Sequence, residues 1–158
     1  MTAYINDTLG KQIERGEVYT GVVSSTIGPT AGGSIRFTIE VGANDCSFIF
    51  DVVTPVATSV NITEGLTSVA GGSTATNINL LRSSADTITT VVKTGAAIAG
   101  GSSLISYTSE DGKFPASSAI NSEAGIILAA NTDYSYYISN LDVVDVRYAF
   151  TWYLREIT

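Results

Sequence analysis

The chain contains no histidine, one cysteine, three prolines and one methionine in 158 residues. Charge is scarce too: only 15% of residues are Asp, Glu, Lys or Arg, where about 25% is usual. Each shortage excludes something. Without histidine there is no Ser-His-Asp triad, no Cys-His pair and no imidazole metal ligand. Cys46 alone makes neither an intrachain disulfide nor a zinc site. Eight basic residues without a run, against 15 acidic ones, give a net charge of −7. A nucleic-acid partner needs clustered Lys and Arg, so none is expected. No stretch approaches about 18 apolar residues, so no membrane partner is expected either. Met1 to Asp7 has no basic region followed by an apolar one, so no signal peptide is expected.

What is abundant points to strands. The chain holds 20 Thr, 18 Ser, 16 Ile and 14 Val, with 15 Gly. β-branched residues fit pleated strands and are poor in helices, while Gly and Ser supply turns. The length is that of one domain, long enough to bury roughly 68–70% of its unfolded surface without staples. A low charge fraction suits a protein whose outer faces are partly covered by neighbours.

Residues 1–16 read as a short N-terminal arm and 17–158 as a single sandwich domain. In the arm, Tyr4, Ile5, Leu9 and Ile13 are the large apolar side chains. Leu9 and Ile13 are four apart, which allows a short helical turn. The segment reads either as a frayed terminus or as an arm that lies across a neighbouring subunit. Beyond it, residues 17–27 read as a strand ending at Gly28-Pro29. Residues 34–41 alternate cleanly: Ile35, Phe37, Ile39 and Val41 face one way, Ser34, Arg36, Thr38 and Glu40 the other. Residues 46–53, with Phe48 and Phe50, form a more continuous apolar run, expected to be covered on both faces, with Cys46 as a small core hydrophobe. A weak internal repeat relates residues 59–73 to 89–102. Each copy reads as a strand, a glycine, small residues and a Gly-Gly-Ser turn.

The C-terminal third is the most regular. Tyr134, Tyr136 and Ile138 share one face, as do Val144, Val146, Tyr148, Phe150, Trp152 and Leu154. A hairpin centred near Leu141–Asp142 would place Tyr136 near Tyr148, Ile138 near Val146 and Tyr137 near Arg147. Burial of Trp152 would fix the register. Many short strands, frequent turns and no convincing long helix describe an all-β antiparallel sandwich, jelly-roll-like.

Three stretches carry a resemblance. These are Ile127-Leu128-Ala129-Ala130-Asn131-Thr132-Asp133-Tyr134, then Ser139-Asn140-Leu141, then Tyr148-Ala149-Phe150-Thr151-Trp152-Tyr153. Together they resemble the ending of head decoration (cement) proteins of tailed bacteriophages. Val60-Asn61-Ile62-Thr63-Glu64-Gly65 and Leu81-Arg82-Ser83-Ser84-Ala85-Asp86-Thr87 are similar to a strand end and a linker of that group. The likeness runs in order over roughly residues 17–155 through short, degenerate motifs. It departs at Lys93-Thr94-Gly95, where the group has Glu-Gly, and at Ala130, where Pro is common. The resemblance implies a β-sandwich oligomer, a homodimer or homotrimer, bound to the major capsid protein on the outer surface of an icosahedral head. It would be made in the host cytoplasm, with no cofactor and no catalytic residue.

The residues themselves offer little chemistry. The pairs Asp142/Asp145 and Glu110/Asp111 lack the spacing of a calcium loop and read as solvated turn carboxylates. A glycosidase would need two of these groups to converge. Gly-rich pieces such as Gly71-Gly72-Ser73 lack the lysine and helix of a phosphate loop. Tyr137 and Tyr153 point away from the expected core, and aromatic residues are enriched in interfaces. They are the expected contact residues, for a capsid or subunit in the first reading. In the alternative, a carbohydrate- or host-receptor-binding module of a head fibre or tail, they would contact a sugar or receptor.

Overall fold

The computed structural model describes residues 9–27, 33–53, 57–109 and 126–157. Leu9–Glu14 forms one helical turn and a half, α1. Its end is closed by amides of Gly16 and Glu17 donating to the carbonyls of Ile13 and Gln12, at 2.9 and 3.2 Å. Asn79 Nδ2 donates to the Gly16 carbonyl at 2.8 Å and ties this end to the chain's own body. Ile13 is half-buried, and Tyr4 and Ile5 lie outside the described residues.

The strands are β1 (Tyr19–Ile27), β2 (Ser34–Glu40), β3 (Asp45–Val53), β4 (Thr58–Ala70), β5 (Ser73–Thr74), β6 (Ile78–Asn79), β7 (Val91–Thr94), β8 (Ala97–Ser109), β9 (Ile126–Leu128), β10 (Asp133–Asn140) and β11 (Val146–Ile157). They form two antiparallel sheets, in the orders β6-β1-β11-β3-β9 and β5-β7-β2-β10-β4-β8. The first half of the chain runs as a ribbon beside the second. Strand β1 pairs with β11, β2 with β10, β3 with β9 and β4 with β8. That folded ribbon is the jelly-roll arrangement. The small strands β5, β6 and β7 are inserted where the ribbon turns back, and return to flank both sheets.

The core is aromatic and built from both sheets. Phe37 and Tyr136 come from the six-stranded sheet; Phe48, Phe50, Tyr148, Phe150 and Trp152 come from the five-stranded one. Phe37 stacks on Phe150 with centroids 4.1 Å apart, and Tyr136 meets Phe50 edge-on at 4.9 Å and Phe48 at 5.3 Å. Ile39, Tyr134, Ile138 and Leu154 are buried with them, as are Val60, Ile62, Val92 and Leu128, and Ile35 packs against this core half-buried. Cys46 is wholly buried within it.

Several expectations are corrected. The strands at 133–140 and 146–157 do not form a hairpin: β10 lies in one sheet and β11 in the other. Their even-numbered side chains still meet, but across the core, with Tyr136 and Phe150 rings 6.2 Å apart. Tyr137 therefore pairs with Arg36 on β2 and not with Arg147. Val144 is nearly half-exposed, in a bend before β11, and does not extend the inward stripe. Strand β3 is covered fully on one face only, since Ser47 and Ile49 are half-buried between buried Cys46, Phe48 and Phe50. In the internal repeat, Gly65 and Gly95 match, with φ of +68° and +69°. Gly71-Gly72 is a turn, but Gly100-Gly101 lies inside β8, which pairs with β4 through two register shifts.

Candidate interaction surfaces

The outward face of the five-stranded sheet carries a group of exposed apolar side chains among threonines and serines. Ile78 on β6, Thr20 on β1, Tyr153 on β11 and Ile49 on β3 are lateral neighbours in one row across four strands. Side chains alternate along a strand, so residues two positions along share this face. Val22 thus lies beside Thr151 on the next row, and Ile127 sits opposite Ser47 at the β9 edge. Val22 is 64% exposed, Ile127 53%, Ile78 41% and Tyr153 36%. The charges on this face are Arg147 and Asp45, both exposed, Asp51 at the register position opposite Thr151, and Arg155, whose Nε lies 3.2 Å from Glu17 Oε2. Exposed apolar side chains are ordinary when scattered; side by side on one sheet face they mark an interaction surface. Tyr153, expected from sequence as a contact residue, is at its centre. Val22, Ile78 and Ile127 were not, because the order of strands around β11 cannot be read from alternation.

At one end of the sandwich the connection from β10 to β11 presents Leu141, Val143 and Val144, 47%, 71% and 48% exposed. This loop is held firmly. Asn140 Nδ2 donates to the Val144 carbonyl at 2.9 Å, and Asn140 Oδ1 accepts the Asp142 amide at 2.8 Å. The Asn140 amide donates to Gly33 O and the Leu141 amide to Ala57 O, at 2.7 and 3.0 Å. Asp142 accepts the Val143 amide at 2.6 Å, so this carboxylate caps a turn. Glu110 and Asp111 lie outside the described residues.

The outward face of the six-stranded sheet is polar. Thr38 and Ser135, directly paired, are 0% and 1% exposed although they point away from the core. Longer neighbours flank them: Arg36 with Tyr137 on one side, Glu40 with Asp133 on the other, and Lys93 alongside Thr38. Lys93 Nζ pairs with Glu40 Oε1 at 2.5 Å. Burial and the nearby Glu40 charge raise the pKa of Asp133, and Lys93 partly offsets this. Strand β7 pairs with β5 on one side and, on the other, with β2 over Phe37–Glu40 alone. Beside Ser34–Arg36 the sheet edge opens into a shallow depression lined by these residues, Thr94–Ala96 and Tyr137. There the Arg36 guanidinium lies over the half-buried Tyr137 ring, 5.1 Å from its centroid. The two sequence-expected tyrosines therefore sit on opposite faces of the molecule.

Among the described residues no group of three or more Cys, Asp or Glu side chains could hold a metal ion, and no helix is long and apolar enough to cross a membrane. No protein-family model and no curated protein matches the chain.

Proposed function

We propose that the protein is a capsid decoration protein, bound to the outer surface of an icosahedral phage head and bridging neighbouring copies of the major capsid protein. The observation that carries this reading is the group of exposed apolar side chains on the outward face of the five-stranded sheet, centred on Tyr153 and flanked by Val22, Ile78 and Ile127. A jelly roll buries its core between its sheets, so an apolar group on an outer face is free for a partner. The mechanism is burial: on the order of 800 Å² per partner for each copy, multiplied over a closed shell by effective concentration. The acidic net charge of −7 suits the side of the shell away from packaged DNA. The copies would associate as homodimers or homotrimers on matching symmetry axes.

The test is a double substitution, Val22→Lys with Tyr153→Lys. Both side chains reach solvent, so the melting temperature should stay close to that of the unchanged protein. Electron microscopy of particles mixed with the variant should show the decoration lost, and the heat resistance of those particles should fall to that of stripped heads. Full occupancy by a correctly folded variant would refute the proposed face.

A second reading, a sugar-binding module of a virion, draws on the other face. It rests on the depression where Arg36 and Tyr137 meet beside the end of β7.

A further inference from the structure

Arg36 differs from the other described cations. The chain has nearly twice as many acidic as basic residues; Lys93 lies beside Glu40, Arg15 and Arg155 lie beside Glu17, and Lys11, Arg82 and Arg147 are exposed to solvent, whereas Arg36 is half-buried. The Arg36 guanidinium has none among the described residues, and its Nε is buried without a hydrogen-bond partner. Leaving a buried polar group unpaired costs free energy, more so for a charged one. A guanidinium also presents donors in a rigid fork that fits a carboxylate.

The surroundings restrict what could supply that carboxylate. Tyr137 holds the guanidinium plane from one side, so the group is oriented. Gly95 and Ala96 give the depression a small-residue flank, and Ser34, exposed, stands at its rim; the Thr94 hydroxyl donates to the Ser73 carbonyl at 3.4 Å. The Gly95 amide is already spent on the Arg36 carbonyl at 3.1 Å, which closes the edge where β7 stops. An aromatic ring, a small-residue flank, a serine hydroxyl and a cation without a carboxylate partner together match a ring that carries hydroxyls and one carboxylate.

We propose that this depression binds an acidic sugar, a uronic or sialic acid residue, with its carboxylate on Arg36 and its ring against Tyr137. The inference rests on the sugar-binding reading above. It is independent of the capsid-binding face, which lies on the other sheet.

The test is titration of the full chain with glucuronate, glucose and acetate as separate probes, followed by amide chemical shifts. Glucuronate should give saturable shifts confined to the ends of β2 and β7 and to β10 around Tyr137. Arg36→Gln should weaken its binding about tenfold or more, and Tyr137→Leu should weaken it independently. Thermal melts show whether each variant is folded; Arg36→Lys serves as a second, charge-retaining variant and should recover part of the affinity. Glucose binding there as tightly as glucuronate, unaffected by Arg36→Gln, would keep the sugar reading and overturn the acidic one. Acetate binding equally well would overturn the sugar. No saturable shift with any probe would overturn both.

Discussion

Trp152 shows how one side chain constrains its neighbours. It is fully buried at the centre of β11, and its indole Nε1 donates to Asn77 Oδ1 at 2.9 Å. Asn77 in turn donates to the Thr90 carbonyl at 3.0 Å, so the indole anchors the segments on either side of β6. Directly opposite, Gly21 leaves the space that the ring fills: a Cβ there would lie 2.2 Å from Trp152 Cζ2. The requirement for glycine is steric at this position. Trp152→Ala should cost about 3–5 kcal/mol in urea unfolding. Gly21→Ala should cost about 1–3 kcal/mol through overpacking. Combining Gly21→Ala with Trp152→Phe should cost less than the two changes summed, since the smaller ring relieves the clash. Strict additivity would show that the two positions do not press on each other. Cys46 makes a simpler case. Burial pushes its thiol pKa up to about 11, so at neutral pH it is a buried, protonated group. Iodoacetamide should modify it only after unfolding; ready alkylation of the native protein would place it near the surface.

Elements differ in how far alternation reveals them. Strands β2, β10 and β11 were legible because apolar and polar residues alternate without interruption, as in Phe37, Thr38 and Ile39. Their burial followed from period alone. Which strands pair did not. Alternation gives every strand an inward face but no partner, so β10 and β11, adjacent in sequence and joined by a plausible turn, read as a hairpin. They face each other across the core because residues 141–145 carry the chain from one sheet to the other. Arg36 and Tyr137 were singly visible, but their meeting depends on the β2–β10 register. Glu156 was equally invisible as a tie between sheets. One of its oxygens accepts the amides of Thr89 and Thr90 at 2.8 and 3.1 Å and both hydroxyls at 2.5 and 3.3 Å. This pins the segment leading into β7 to the end of β11. Partial burial pushes the Glu156 pKa up, but those four bonds together outweigh it, and the net shift is downward from the usual 4.5. An acid with a depressed folded pKa contributes stability above its unfolded value, and loses it as pH falls through the folded value. Glu156→Gln should therefore cost about 1 kcal/mol at pH 7, modest because the carboxylate is partly in solvent. In urea melts the gap should narrow as pH drops below about 4.5. A gap independent of pH would mean the charge is irrelevant to the tie.

The ribbon topology of the whole molecule orders its folding. Among the four ribbon pairings, β4–β8 closes the shortest loops, with Ala70 opposite Ala97, and β1–β11 the longest, with Tyr19 opposite Leu154. Loop closure costs more for longer loops. Once β4 and β8 are joined, each further pair extends an existing ribbon. Ile62 and Ile105 face each other in that first pairing, and Ile62 is fully buried. Leu154 is fully buried on the last strand to be placed. Refolding should be slow, in milliseconds to seconds, as for other non-local β topologies. Ile62→Val, at about 0.5–1.5 kcal/mol, should act mainly by slowing refolding. Leu154→Ala, at about 2–5 kcal/mol, should act mainly by speeding unfolding. Stopped-flow chevrons of the two variants separate these effects. The reverse partition would mean that the terminal strands meet first, and that β11 is the folding template against which β1 and β3 assemble.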